Sequence, residues 1–192
     1  MSADRILIID GHPDPDAART AHVLADAYAD GARGAGRTAH VARIAALDFS
    51  YVQSASQFSM PCSHAGIKEA QAHLADADHV VLVYPLWLGT MPALLRTFLE
   101  ELATGGFATY YDGKRWTSKL RGKSGRLIVT MDARAIAARW FLRSLHVRSV
   151  EYPVLRFLGV SPVRVTLFGR ARHHHLRERR IREVRRLGAR GA

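Results

Sequence analysis

The chain has 192 residues, about half of them apolar, a formal net charge of +11 and one cysteine. That length supports one sizeable core, and a single thiol excludes an intrachain disulfide and a cysteine-built zinc site. No apolar run approaches the roughly 18 residues that a membrane span needs. The short apolar stretch 6–9, followed by charge and proline, is not a secretory leader, so a cytoplasmic location is expected.

Arg5-Ile-Leu-Ile-Ile-Asp10 is apolar without polar alternation, which predicts a strand buried on both faces at the centre of a parallel sheet. Gly11-His-Pro-Asp-Pro-Asp16 reads as a loop. Residues 19–31 carry Ala21, Leu24, Ala25 and Tyr28 on one face, predicting a helix that the glycines at 31, 34 and 36 terminate. Residues 38–44 form a second strand. Residues 45–66 read as loop around a local Leu47–Phe49 cluster, and residues 67–76 as a helix with Ala70 and Leu74 inward. Residues 79–84 are the clearest strand. Pro85 to Gly89 break it, and Pro92 opens a helix whose face is Leu94, Leu95, Phe98 and Leu102. A glycine- and aromatic-bearing excursion, 104–123, precedes a fourth strand at 125–131, a helix at 139–146, a fifth strand at 163–168 and a closing helix at 176–187. This alternation predicts an α/β fold, a parallel sheet covered by helices on both faces. One domain is expected over 1–188, with 189–192 as a free tail.

Arginine supplies 24 of the 28 basic residues, and nine lie from Arg170 onward with only Glu178 and Glu183 as acids. This end reads as a solvated basic surface or as an attractor of anions. His173-His-His175 belongs to it: three adjacent histidines with no fixed carboxylate do not make a metal site. Cys62, beside Pro61, has no evident base partner and is not read as a nucleophile.

In an open parallel sheet, ligands bind beyond the carboxyl ends of strands where the connection order reverses. Three loops fall there. In the first, the amides of residues 17–20 at a helix start, with His12, Arg19 and Thr20, suit a phosphate, provided that Asp14 and Asp16 point away or cap the helix. The second, Tyr84-Pro-Leu-Trp-Leu-Gly-Thr-Met-Pro92, offers apolar walls and backbone bonds to a flat ring with one polar edge, such as an isoalloxazine; a core role for Trp87 is the alternative. The third, Thr130-Met-Asp-Ala-Arg-Ala135, can bond the polar edge, with Arg134 either near the ring or simply at the surface. His146 can act in proton transfer near neutral pH or serve structurally.

Gly11-His-Pro13, Leu24-Ala-Asp-Ala-Tyr28, Tyr84-Pro-Leu-Trp-Leu-Gly-Thr-Met-Pro-Ala93, Gly106-Phe-Ala108, Gly122-Lys-Ser124, Thr130-Met131, Arg139-Trp140 and Leu158-Gly-Val-Ser-Pro-Val163 together resemble the flavodoxin-like NAD(P)H:quinone oxidoreductases of the Gly-His-Pro type. The resemblance runs from Ile6 to about Leu187 and is most specific from Tyr84 to Leu95. It implies a flavodoxin-like fold, a five-stranded parallel sheet of order 2-1-3-4-5. It also implies a noncovalent flavin (FAD or FMN), hydride transfer from NADH or NADPH, and ping-pong two-electron reduction of a quinone-like acceptor. By position, His12, Ala18, Arg19 and Thr20 would surround the flavin phosphate. Pro85, Leu86, Trp87, Leu88, Thr130, Met131 and Asp132 would contact the ring. Phe107 and Tyr110, with Trp87, would shape the acceptor side, and Tyr110 or His146 would assist protonation. Members usually form homodimers with the site near the subunit boundary.

The chain departs from the family at Ala18, where a serine is usual, at Asp132, where a glycine is usual, and at Ala138, where a tyrosine is usual. These changes lie at the ring end and bear on turnover more than on fold. A flavin-binding regulatory subunit associated peripherally with a membrane transporter is therefore a rival reading, and an arginine-rich nucleic-acid binder ranks last; no nucleic acid and no integral membrane segment are expected.

Overall fold

The computed structural model describes residues 4–111, 114–132, 151–156, 158–170 and 176–191. Its elements in chain order are β1 (Arg5–Asp10), α1 (Thr20–Gly34), β2 (Thr38–Arg43), α2 (Ala55–Ser59), α3 (Ala65–Asp76), β3 (His79–Pro85), α4 (Ala93–Leu102), β4 (Thr109–Tyr111), β5 (Trp116–Ser118), β6 (Ser124–Thr130), β7 (Val163–Phe168) and α5 (Arg177–Arg190). Five strands build one parallel sheet in the order β2-β1-β3-β6-β7.

Side chains alternate across these strands, so each buried strand feeds two cores. Leu7, Ile9, Val80, Leu82, Tyr84, Leu127 and Val129 face the layer of α3 and α4. Ile6, Ile8, Val81, Val83 and Ile128 face α1 and α5. β1 and β3 therefore need apolar residues at nearly every position, which is why they were legible as continuous apolar runs.

Several boundaries differ from the sequence expectation for physical reasons. Counted within the sheet, its five strands lie in the order 2-1-3-4-5; counted along the whole chain the last two become β6 and β7, because the excursion contributes an unforeseen antiparallel hairpin, β4 with β5. The stretch read as loop contains the one-turn helix α2, started by Ser54, whose side chain accepts from the Gln57 N–H at 3.1 Å. Helix α1 does not stop at Gly31. That glycine lies inside the helix because α5 crosses there: a Cβ added to Gly31 would sit 2.0 Å from the Arg185 carbonyl oxygen, and one added to Gly188 would sit 2.0 Å from that of Tyr28. Helix α5 in turn runs on through residues 189 and 190, where a free tail was expected, and closes on Gly191 at φ 60°. The helix expected at 139–146 and the histidines at 173–175 lie outside the described residues.

Candidate functional site

The chain leaves β1 for one side of the sheet and returns through β3 on the other, so the connection order reverses between these two strands. The loops that follow are held in register beyond the strands. Gly11 N–H donates to the Val83 carbonyl (2.8 Å), Leu86 N–H to that of Thr130 (2.8 Å) and Met131 N–H to that of Phe168 (2.9 Å). Between them lies a cleft of about 540 Å³, a size suited to a small ligand or cofactor.

The cleft gathers most residues that the sequence singled out. His12, Ala18, Arg19 and Thr20 line it from the first loop, Pro85, Leu86 and Trp87 from the second, and Thr130, Met131 and Asp132 from the third. Leu88 is not among them. Reciprocal backbone bonds between Trp87 and Thr90, both 2.9 Å, close a two-residue turn. Leu88 (φ 48°) and Gly89 (φ 79°) form its tip, as such turns require, and Leu88 projects fully into solvent. Phe107 is also elsewhere: it is half-buried and packs against the α3–α4 core. Tyr110 stands in β4 opposite Thr117, and His146 lies outside the described residues. Cys62 is buried in the α3–α4 core, its thiol donating to Glu101 Oε2 at 3.4 Å, and burial pushes its pKa up.

The first loop resolves the difficulty of its own acids. The Asp14 carboxylate accepts from the Asp16 N–H (2.9 Å) and that of Asp16 from the Ala18 N–H (3.0 Å). Both also pair with Arg19, at 2.5 and 3.5 Å. The backbone bond from Asp16 and the Arg19 guanidinium hold the Asp14 pKa below the usual carboxylate range. Neither acid caps α1, whose first turn begins at Arg19 with no side-chain cap. The first turn of α1 reaches the cleft lining at Thr20 and Ala21.

Beneath this loop sits a polar network that the sequence reading missed. Asp10 and His22 are both fully buried, with Asp10 Oδ2 only 2.5 Å from His22 Nδ1. His22 Nε2 donates to the Asp14 carbonyl oxygen at 2.7 Å, and the Asp14 N–H donates to His12 Nδ1 at 3.1 Å. Arg43 Nε lies 3.5 Å from Asp10 Oδ2. Burial raises the Asp10 pKa, opposed by His22 and Arg43. Burial also lowers that of His12, helped by the charge of His22. The signal in the sequence was a histidine on the inward face of an alanine-rich helix, facing an acid at the end of a buried strand.

Two arginines of α5, Arg177 and Arg180, also line the cleft and were not singled out individually. Arg180 is 5% exposed. Its guanidinium donates to the carbonyl oxygens of Gly169 and Arg170, and burial lowers its pKa. No described residue neutralises it. The Trp87 ring meets that of His12 edge-on, with centroids 5.8 Å apart.

A doubly wound parallel sheet with a cleft at its switch point, lined by Pro85, Leu86 and Trp87 together with Arg19, Arg177 and Arg180, is the architecture of the flavodoxin class. A family model for the flavodoxin-like fold matches residues 4–189, and the chain belongs to that family. Its structure is similar to that of an NAD(P)H:quinone oxidoreductase from Methanothermobacter marburgensis, at 20% identity and a TM-score of 0.79 over 96% of both chains. It is also similar to an FMN-dependent NADH-azoreductase from Bacillus anthracis, solved with FMN, at 13% identity and a TM-score of 0.74 over 96% of this chain and 97% of that one. In sequence, an alignment 73 positions long is 37% identical to a ribosyldihydronicotinamide dehydrogenase-like protein of Penicillium crustosum; it covers 34% of this chain and only 27% of that protein.

Proposed function

We propose that this protein is a flavin-dependent NAD(P)H oxidoreductase that reduces a quinone or similar electrophile by two electrons. The observation that carries the reading is the meeting of apolar and cationic side chains in one cleft. Pro85, Leu86 and Trp87 give a flat apolar face beside backbone groups held by the sheet. The same lining carries the start of α1, Thr20, His12 and Arg180, which no described residue neutralises, a donor set that fits a phosphate. The residues present thus fit a flavin, FAD or FMN: phosphate at the first loop, ring against the second, and the ring's polar edge toward Thr130, Met131 and Asp132. Ala18 brings no hydroxyl and its amide already donates to Asp16, and Arg19 remains engaged by Asp14 and Asp16.

When bound, a flavin supplies reversible hydride acceptance, which no side chain can. The chain positions the reactants. Trp87, 47% exposed, leaves the open side of the cleft accessible to donor and acceptor in turn. His12, kept neutral by burial, contributes a hydrogen bond without a full charge. Tyr110 and His146 are the residues assigned to proton supply at the acceptor. The exposed Tyr51, Phe58, Met60 and Leu88 support a homodimeric assembly. In the same reading NADH or NADPH is the donor. The test is the absorbance spectrum of purified protein before and after adding FAD or FMN, followed by anaerobic bleaching with NADH and NADPH. A yellow protein that bleaches and is reoxidised by a quinone is expected. A protein that takes up neither flavin refutes the reading.

A further inference from the structure

Asp10, His12, Asp14 and His22 close a ring of hydrogen bonds, and only His12 and Asp14 reach the cleft. The protonation of the ring follows link by link. The Asp14 carbonyl oxygen has no hydrogen to give, so His22 Nε2 is the donor across 2.7 Å. His22 Nδ1 then meets Asp10 Oδ2 at 2.5 Å, and one proton occupies that contact whichever atom carries it. In both forms the buried pair is electrically neutral and its orientation is set. Next, the Asp14 N–H donates to His12 Nδ1 at 3.1 Å, so that nitrogen bears no proton. The single proton of a neutral His12 ring is left on Nε2. The ring closes through the His12 N–H and Asp10 Oδ1, a long contact of 3.4 Å.

We propose that His22 is a positioning residue: by donating to the Asp14 carbonyl and sharing a proton with Asp10, it fixes the loop so that His12 presents an Nε2–H donor to a phosphate-bearing ligand in the cleft. The ligand rests on the flavin reading; the tautomer of His12 does not. His22 touches nothing in the cleft and acts through two intervening groups, Asp14 and His12. Were it merely filling space, replacing it by an apolar side chain would leave the His12 ring unchanged.

The experiment compares wild type, His22→Leu and Asp10→Asn. His22→Leu removes both bonds. Asp10→Asn keeps the ring, because the introduced amide can donate to His22 Nδ1 while Nε2 still serves Asp14. Nitrogen spectra of 15N-histidine-labelled protein at neutral pH read the His12 tautomer, and fluorescence titrations with FMN and with FAD read affinity. Wild type and Asp10→Asn are expected to show an unprotonated His12 Nδ1 and flavin affinities within about threefold of each other. His22→Leu is expected to mix the two tautomers and to bind both flavins about tenfold more weakly or worse, the worth of one positioned hydrogen bond to a charged group. A protonated Nδ1 in wild type overturns the proposal, as does His22→Leu with an unaltered His12 spectrum and unaltered affinity. If His22→Leu does not fold, the spectra of wild type and Asp10→Asn decide, a changed tautomer in the latter counting against the ring. If wild type binds neither flavin, the spectra still decide the role of His22, and the redox reading alone falls.

Discussion

Gly31→Ala and Gly188→Ala probe the close crossing of the two helices whose first residues line the cleft. Helices α1 and α5 both start at the cleft, with Thr20 and Arg177 on its lining, and cross about ten residues later at these two glycines. A methyl group on either would sit 2.0 Å from a backbone oxygen of the other helix, where real contacts are essentially never below 3.0 Å. No side chain can swing aside, so the helices must part by about 1 Å. Overpacking of this kind costs about 1–3 kcal/mol, and the better helix propensity of alanine returns up to about 1 kcal/mol. A net loss near 2 kcal/mol is expected for each. With a urea slope of about 2 kcal/mol per molar, the midpoint falls by roughly 1 M. Gly34→Ala is the control: it lies in the last turn of the same helix with nothing within 4 Å of the added atom, and it should unfold at the wild-type midpoint or slightly above. The double variant should cost less than the two losses added, because the first separation already relieves the second clash. Flavin affinity should fall together with stability in Gly31→Ala and Gly188→Ala and stay unchanged in Gly34→Ala. If all three alanine variants unfold alike, the close crossing is not what the helices rest on.

His79 is buried, with Nε2 unpartnered, and burial together with Arg126 and Arg164 lowers its pKa to about 4. The unfolded chain protonates near the ordinary value of 6.5. The neutral form therefore stabilises the fold fully above about pH 6.5, and that stability is lost as pH falls toward 4, by about 3 kcal/mol in all. Urea unfolding at pH 7 and pH 4 should show that share of the loss vanish in His79→Gln; an equal pH response in both proteins counts against it. Trp87→Ala, at a largely exposed site, should leave stability within about 0.5 kcal/mol while weakening FMN binding about tenfold, as fluorescence titration would measure. Asp132→Asn removes a carboxylate from the ring end of the cleft and should speed anaerobic reduction by NADH about threefold or more in stopped flow; an unchanged or slower rate means that the acid does not oppose charge there.

The parallel sheet was legible because strands buried on both faces have no choice of residue: Ile6 to Ile9 and Val80 to Tyr84 must all be apolar. Ten of the eleven residues expected at the flavin line one cleft for a related reason, since the carboxyl ends of the central strands fix where their loops converge. Leu88 failed because the turn type, not the side chain, decides which way it points. Phe107 failed because the connection through β4 and β5 folds back on the core. Gly31 was misread because close helix crossing and helix termination both ask for glycine. His22 was passed over because a satisfied buried histidine differs from its alanine neighbours only through a partner twelve residues away.

Cys62 carries a practical corollary. It is the sole sulfhydryl of the sequence and is 6% exposed, with its hydrogen directed at a buried glutamate. Maleimides attack thiolates, and this one is neither ionised at neutral pH nor within reach. A cysteine placed at the turn tip in place of Leu88 would thus take up a dye alone, with the native residue left untouched. Such a label would sit one position from Trp87 and would report, in real time, whatever enters beneath it.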